Sequence, residues 1–133
     1  YWTERKKIFG ERAFLPIMDL SGNGALNPDA VALLRTGVAV VLPNDQEGRS
    51  VLYFDRERHE EQSPLLLQIG FFNITVIAQS KKAQVDGFVL LLRFRKRANG
   101  RVPARATFNR FADLVSTAFP VRMHSLHIAA CIP

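Results

Sequence analysis

Cysteine is nearly missing from this chain. Among its 133 residues only Cys131 carries a thiol, and this excludes a fold held together by internal disulfide bonds. Small proteins of oxidising compartments often depend on such bonds. The lack of them predicts a reducing environment, and we expect a cytoplasmic protein.

Long uncharged apolar runs are missing too. A membrane-spanning helix needs about 18 or more consecutive apolar residues, and the most apolar stretch, residues 64–78, is interrupted by Gln68, Asn73 and Thr75. We therefore predict no membrane span. A secretory signal is not predicted either, because no apolar core follows the charges at residues 5–7. The first residue is not methionine, so we expect a segment of a longer protein.

Residue types that carry catalysis occur, but not in the spacing that catalysis needs. The histidines His59, His124 and His127 form no metal-binding pattern with Cys131. Because His124 and His127 are three residues apart, they face opposite sides of a strand, and we interpret His127 as a hydrogen-bonded structural residue. Gly22 and Gly24 follow no predicted strand, and the third glycine of a dinucleotide-binding loop is missing, so they form no such loop. We therefore expect no enzyme, no metal and no cofactor.

Acidic residues are outnumbered by basic ones. The net charge is +6, which favours partners that carry phosphate groups, either anionic lipids or nucleic acid. The basic excess lies mainly at residues 5–7 and between Arg93 and Arg110. A solvated basic loop and a phosphate-facing surface both fit this pattern. Residues 55–61 alternate in sign, and we interpret them as a solvated, self-neutralising turn.

The chain does contain enough apolar material for one folded domain. Apolar residues make up 47% of it, which permits a sizeable core and argues against disorder. Helices should start where Asn or Ser precedes Pro and end at Gly or Pro, while strands are short β-branched runs, two of them around a turn at 44–48. These patterns predict helices at 1–9 and at about 28–36, 64–81 and 107–118, and strands at Val38–Leu42, Ser50–Asp55, Phe88–Leu92 and Val121–Ile128.

The order of these elements predicts an α/β fold, a mixed β-sheet with helices packed on it. The strand at 88–92 is apolar throughout, as in strands that are covered on both faces. The strand, helix and strand that follow it predict parallel strands joined by a right-handed crossover. Residues 10–27 are predicted to be irregular because of Pro16, Gly22 and Gly24.

Three parts of the sequence share a pattern with a known family. They are residues 1–10 (YWTERKKIFG), residues 42–54 (LPNDQEGRSVLYF), and residues 86–92 (DGFVLLL) together with 119–128 (FPVRMHSLHI). In this order and spacing they resemble the CRAL-TRIO (Sec14-like) lipid-binding domain. The first is similar to the end of the helical lobe before that domain, and the second to its first hairpin. The third is similar to its Gly-led strand, its helix ending in Phe-Pro and its strand with a His.

The resemblance implies a truncated CRAL-TRIO-like three-layer core. Residues 1–12 would be the end of the helical lobe, and residues 13–133 a partial lipid-binding domain without its gate helix. Members of this family hold a phosphoinositide, a tocopherol or a similar lipid in an apolar pocket and exchange it at membrane surfaces. By match to the family, the pocket wall would consist of Gly70, Ile74, Phe88, Leu92, Phe111, Val115, Met123 and Leu126. Contact with membranes or lipid head groups is expected at the basic residues Arg95, Lys96, Arg97 and Arg101.

Two other functions stay open from the residues alone. The eight wall residues can also be ordinary core. One other function is a protein-interaction module that keeps the fold but has lost its ligand. A nucleic-acid-binding domain would use the same basic excess. Against it, the aromatic residues fall within apolar runs and do not alternate with Arg and Lys as stacking platforms. We therefore expect a hydrophobic lipid ligand, transient contact with anionic membranes and no nucleic acid, for a protein that is peripheral to membranes.

Overall fold

The computed structural model describes residues 1–56, 58, 64–95 and 105–131. Within these residues the chain forms five α-helices, one 3-10 helix and four strands. In chain order they are α1 (Trp2–Phe9), the 3-10 helix (Gly10–Phe14), α2 (Pro28–Arg35), β1 (Ala39–Leu42), β2 (Ser50–Asp55), α3 (Pro64–Ala78), α4 (Lys81–Asp86), β3 (Phe88–Arg95), α5 (Arg105–Ala118) and β4 (Met123–Cys131).

The four strands form one sheet in the order β1-β2-β3-β4. β1 and β2 are antiparallel, while β3 pairs in parallel with both β2 and β4. The predicted α/β fold with a mixed sheet is therefore confirmed, as are the parallel strands on either side of α5. β3 and β4 run beyond their predicted ends because the ladder between them continues to Arg95 and Cys131.

The turn between β1 and β2 is organised by a single aspartate. The carboxylate oxygen Oδ1 of Asp45 accepts hydrogen bonds from the backbone N–H of Glu47 (2.9 Å) and of Arg49 (2.8 Å). The backbone N–H of Gly48 donates to the Asp45 carbonyl at 3.0 Å. An aspartate that binds its own backbone in this way favours a tight turn. The predicted hairpin is confirmed.

The start of α2 follows from two neighbouring residues. The side-chain oxygen Oδ1 of Asn27 accepts from the backbone N–H of Ala30 at 2.8 Å, and Pro28 occupies the first helical position. This cap satisfies one of the N–H groups that a helix start leaves without a partner, and proline needs none. The predicted cap is confirmed, while the similar one at Ser63 lies outside the described residues.

The predicted helix at 64–81 is two helices in the structure. α3 ends at Ala78, and Ser80 caps α4 by accepting the backbone N–H of Ala83 on its hydroxyl oxygen at 3.3 Å. The sequence prediction was wrong here because it continued one helix to about residue 81 and took the polar residues after it as an interruption. A serine with a helix-compatible stretch after it is the signal that was missed.

α3 lies between two hydrophobic clusters. One cluster joins it to the sheet and to α5, and α3 contributes Leu66, Ile69, Ile74 and Ile77 to it. The other joins it to α1, the 3-10 helix and α2, and here α3 contributes Phe71 and Phe72. A helix that is apolar nearly all round is stable only when it is covered on several sides. The sequence prediction that this helix is buried is confirmed.

Two arginines organise the segment that was predicted to be irregular. The guanidinium of Arg12 donates to the Gly24 carbonyl at 3.1 Å and to the Gly22 carbonyl at 2.6 Å. That of Arg5, which is buried, donates to the Leu15 carbonyl at 2.6 Å. These bonds satisfy backbone acceptors that lie outside any helix or strand. The prediction was wrong for residues 10–14, which form the 3-10 helix. The rest of the segment is irregular in backbone but fixed to α1 and to the 3-10 helix.

Gly87 joins α4 to β3 in a conformation that only glycine adopts readily. Its φ is +80°, and its N–H donates to the Ala83 carbonyl at 2.9 Å, which ends α4. A Cβ atom at this position would lie 2.6 Å from the carbonyl oxygen of Arg122. That carbonyl accepts the N–H of Phe88 at 3.0 Å, so it cannot retreat without loss of a hydrogen bond beside β4.

We expect Gly87→Ala to lower the free energy of unfolding by about 2–4 kcal/mol, from backbone strain and from the collision with the Arg122 carbonyl. Gly10→Ala is the matched control. Gly10 also has a positive φ, of 58°, but a Cβ there meets nothing within 4 Å. It should cost about 1–2 kcal/mol from strain alone. Urea unfolding of both variants measures the difference, and equal losses would show that the Arg122 contact contributes nothing.

Candidate ligand-binding face

Most residues of the predicted pocket wall gather between the sheet and the helices. Four of them are buried members of the sheet-side cluster, two are half-buried and pack against it, and one is the glycine of α3 that faces α5. In that order they are Ile74, Phe88, Phe111, Val115, Leu92, Met123 and Gly70. The eighth, Leu126, lies on the edge strand β4 and is 37% exposed.

The contact between Gly70 and Phe111 shows how closely this region is packed. A Cβ atom on Gly70 would lie 2.9 Å from both Cδ2 and Cε2 of the Phe111 ring. The ring is itself buried and meets Phe54 of β2 at a centroid distance of 6.4 Å. α3 and α5 therefore approach each other closely where the Phe111 ring meets Gly70. At this point the predicted wall residues fill the space with their own side chains.

The opposite side of the sheet is different. Side chains alternate along a strand, so the neighbours of the buried residues Leu52, Phe54, Phe88 and Leu90 point to the other face. On that face lie six residues that keep part of their surface in solvent. We call them the open face, and they are Val40, Leu42, Val51, Tyr53, Val89 and Leu91.

Within the described residues, neither hydrophobic cluster includes any member of the open face. This differs from the prediction that the strand at 88–92 is covered on both faces. Phe88 and Leu90 are fully buried, but Val89 and Leu91 are only half-buried. The physical reason is that α3, α4 and α5 all contribute to the cluster on the same side of the sheet. Continuous apolar character did not reveal that the helices lie on one side.

Next to the open face, at the end of β2, lies a group of polar and charged residues that includes Arg93 of β3. The carboxylate oxygen Oδ2 of Asp55 lies 3.5 Å from Nη1 of Arg93 and 3.4 Å from Nε of Arg58, and it accepts from the hydroxyl of Tyr53 at 3.3 Å. Asp55 is only 3% exposed. A buried carboxylate is tolerated when it is paired and hydrogen-bonded. We call Tyr53, Asp55, Arg58 and Arg93 the polar end.

The polar end corrects one interpretation of the sequence. Residues 55–61 were interpreted as a solvated turn, but Asp55 and Arg56 are both buried. Arg58 also donates from Nη1 to the carbonyl of Thr36 at 3.0 Å, which ties this segment to the last turn of α2. The missed signal was the alternation that places Asp55 in line with Tyr53 and Val51, because it continues the strand. Residues 57 and 59–61 lie outside the described part.

Of the four basic residues predicted to contact membranes, only Arg95 has a described backbone, as the last residue of β3. Lys96, Arg97 and Arg101 lie outside the described residues. Among the helices that the structure does describe, none has the length and apolar character needed to cross a bilayer.

The histidines of β4 lie in solvent. The Nε2 atom of His127 is 3.3 Å from the hydroxyl oxygen of Ser125, so the predicted hydrogen bond within the strand is confirmed. In register, His127 lies beside Leu91 of the open face. No group of three His, Cys, Asp or Glu side chains suited to a metal ion occurs in the described part of the chain. His59 falls outside it.

Among the described residues, shifted pKa values occur at two surface carboxylates, Asp86 at the end of α4 and Asp19 in the irregular segment before α2. The ammonium group of Lys82 donates to Asp86 at 2.5 Å and lowers the pKa of that carboxyl. The backbone N–H of Ser21 donates to Asp19 at 2.9 Å and lowers the pKa of Asp19. Hydrogen bonds to the ionised form have this effect. Neither residue belongs to the open face or to its polar end.

A comparison of the chain with protein-family models, with curated proteins and with solved structures finds no match. The family assignment therefore stays a prediction from the three sequence segments. Two features of the described residues bear on whether a ligand binds. They are the packed region between sheet and helices and, on the other side of the sheet, the open face with its polar end.

The Gly70 contact leads to a prediction about stability. Whether Gly70→Ala lowers or raises the free energy of unfolding should depend on the presence of the Phe111 ring. Gly70→Ala should destabilise the parent by up to about 2 kcal/mol, because crowding against the ring outweighs the gain of about 1 kcal/mol in helix propensity. Phe111→Ala alone should cost about 3–5 kcal/mol. In that background, Gly70→Ala should instead stabilise by about 1 kcal/mol, because the ring is gone.

A double-mutant cycle from urea unfolding measures this coupling. Repeating it after lipid extraction separates a packed core from a ligand cavity. If Gly70→Ala stabilises the parent chain as well, free space exists beside Phe111, and the packing described above is contradicted.

Proposed function

We propose that this chain binds a hydrophobic lipid, as a CRAL-TRIO-like domain, and that it exchanges the lipid at membrane surfaces. The observation that carries the proposal is the open face, a sheet surface of mainly Val and Leu side chains that stays partly in solvent among the described residues. It contains none of the eight residues of the pocket wall that the resemblance implies, so the proposal places the lipid on the other side of the sheet from that wall. Each methylene of an acyl or isoprenoid chain that leaves water there contributes about 0.8 kcal/mol. Such a ligand needs no catalytic group.

The order of the elements supports the family assignment. A hairpin is followed by a crossover through α3, by the Gly-led strand β3, and by α5, which ends just before Phe119 and Pro120. β4, with His127, then pairs in parallel with β3. This is the succession that the three sequence segments imply for a CRAL-TRIO-like core.

The polar end suits the other half of a lipid. Arg58 and Arg93 are partly exposed, with 59% and 41% of their side-chain surfaces in solvent, although both contact Asp55. A lipid tail on Val89 and Leu91 would bring its head group to this end of the strands. Guanidinium groups donate several hydrogen bonds in fixed directions and favour phosphate or carboxylate groups. The proposal therefore includes a tail-to-head direction along β3.

One observation favours a second function, a protein-interaction module without ligand. The ring of Phe111 and the backbone at Gly70 leave no room for even a methyl group where the family resemblance implies a pocket. On this alternative the open face would contact a protein. The two functions differ in whether a purified chain carries lipid.

Lipid extraction with mass spectrometry tests the proposal. We expect the purified chain to carry a lipid, and Leu91→Gln or Val89→Gln to lower its amount at least several-fold, because a buried amide on the open face loses solvation without gaining a partner. Val85→Gln is the matched control, since Val85 of α4 is 72% exposed and is not a member of the open face. It should keep the lipid.

Thermal melting of the same variants checks that they fold. A parent chain that carries no lipid, and takes up none from vesicles, contradicts the proposal and favours the protein-interaction module. A lipid that persists in the folded Leu91→Gln variant places the ligand elsewhere.

The basic residues predicted to contact membranes give a separate test. Replacing Arg95, Lys96, Arg97 and Arg101 with Gln should weaken binding to vesicles that contain phosphatidylserine, because each cation near an anionic surface contributes about 1 kcal/mol at low salt. Retention of an apolar ligand should change little. Flotation of vesicles with and without phosphatidylserine measures the effect. Unchanged flotation of this variant would show that the segment is only a solvated surface.

A further inference from the structure

A second exposed apolar surface lies on α1 and the 3-10 helix. The rings of Trp2 and Phe14 stack on each other, with centroids 5.7 Å apart and planes at 20°. Trp2 is 50% exposed and Phe14 70%. We call Trp2, Phe14 and the cations beside them, Arg5 and Lys6, the aromatic patch. The exposed apolar side chains Leu15, Met18 and Leu20 follow it in the chain.

Cations lie against both rings of the patch. The guanidinium carbon of Arg5 is 4.9 Å from the Trp2 ring centroid, and Nζ of Lys6 is 5.5 Å from that of Phe14. Both distances fall within the range of cation–π attraction. Lys7 is paired with Glu4 at 3.4 Å. Among the described residues, Lys6 has no carboxylate within ion-pair distance, so its charge is available to a partner.

Hydrogen bonds and ring contacts of Arg5 and Tyr1 hold the aromatic patch in place. Arg5 binds the Leu15 carbonyl and the hydroxyl of Tyr1, and the ring of Tyr1 meets those of Phe71 and Phe119 at 5.3 and 5.6 Å. α1 is thereby fixed to α3 and to the end of α5. Two stacked rings on a fixed backbone have little freedom left to lose, so their burial against a partner would cost little entropy.

The composition of the patch distinguishes between partners. Protein interfaces are enriched in Trp, Phe and Arg but depleted in Lys. At the membrane–water boundary, Trp with Lys and Arg beside it is typical, since the indole fits the head-group level and the cations meet anionic lipid. Lys6 on the Phe14 ring, together with the net charge of +6, fits the membrane boundary better.

We infer that the aromatic patch is a docking surface for an anionic lipid bilayer. Trp2 and Phe14 enter the head-group region, and Lys6 stays at its surface. This inference does not rest on the proposed ligand or on the open face, because α3 lies between the patch and the sheet. It also differs from the contact predicted for Arg95, Lys96, Arg97 and Arg101, since it places Trp2, Lys6 and Phe14 against the bilayer.

Trp2 makes the test direct, because it is the one tryptophan of the sequence. With vesicles of phosphatidylcholine and phosphatidylserine, we expect its emission to shift to shorter wavelength. Lipids brominated near the head-group end of the acyl chain should quench it, and lipids brominated near the methyl end should quench it less. Vesicles of phosphatidylcholine alone should give a smaller effect at equal lipid concentration.

Two variants and a matched control connect the signal to the patch. Phe14→Ser should weaken vesicle binding about tenfold, since most of its ring would enter the bilayer boundary. Lys6→Gln should weaken binding to phosphatidylserine vesicles roughly fivefold and leave binding to neutral vesicles unchanged. Val85→Ser, on an equally exposed apolar residue of α4, should change neither. The three replaced residues and the fluorescent Trp2 are all exposed. Circular dichroism checks that each variant folds.

Three outcomes would overturn the inference. They are vesicle binding without quenching of Trp2 by either brominated lipid, an equal loss of binding in Phe14→Ser and Val85→Ser, and self-association of the chain that Phe14→Ser abolishes while vesicle binding is unaffected. The first two would remove the patch from the bilayer, and the third would make it an interface between copies of the chain. Failure of the bilayer inference would not affect the lipid-extraction test, because that test uses variants of the open face.

Discussion

The burial of α3 on two opposite sides is the constraint on which the rest of the structure depends. Its sheet-side residues, such as Ile69 and Ile74, join the cluster that contains the buried side of β2 and β3. Phe71 and Phe72 join the cluster that fixes α1, the 3-10 helix and α2. Removing α3 would therefore separate the sheet from the N-terminal helices. Because the helices of the described part gather around α3, the other side of the sheet keeps its open face.

The sequence predicted those elements that are determined locally. Asn27 with Pro28, and Asp45 with Gly48, determine a helix start and a hairpin through contacts within a few residues. The break at Ser80 is also local and was missed, since the apolar run before it masked the cap. Four of the five α-helices and all four strands of the described residues were predicted close to their observed positions. α4 and the 3-10 helix were not.

The candidate site was harder to predict because it depends on contacts between distant residues. Nothing in the sequence tells which side of a continuously apolar strand the helices cover, so Val89 and Leu91 could not be told from Phe88 and Leu90. Asp55 and Arg93 are 38 residues apart and meet only because β2 and β3 pair in parallel. Likewise, Trp2 and Phe14 form one surface because the chain turns from α1 into the 3-10 helix, where Arg5 binds the Leu15 carbonyl.

The parallel pairing of β2, β3 and β4 has a kinetic consequence. β1 and β2 are linked by a short turn and can meet early, whereas β3 reaches β2 only after the chain has passed through α3 and α4, and β4 reaches β3 only after α5. Closing such long loops costs entropy before any strand contact repays it, and folding slows as contacts become less local. We therefore expect the hairpin and the helices to order first and the parallel part of the sheet last. During that interval the apolar strand β3 is exposed, which makes it the segment where misfolding would start.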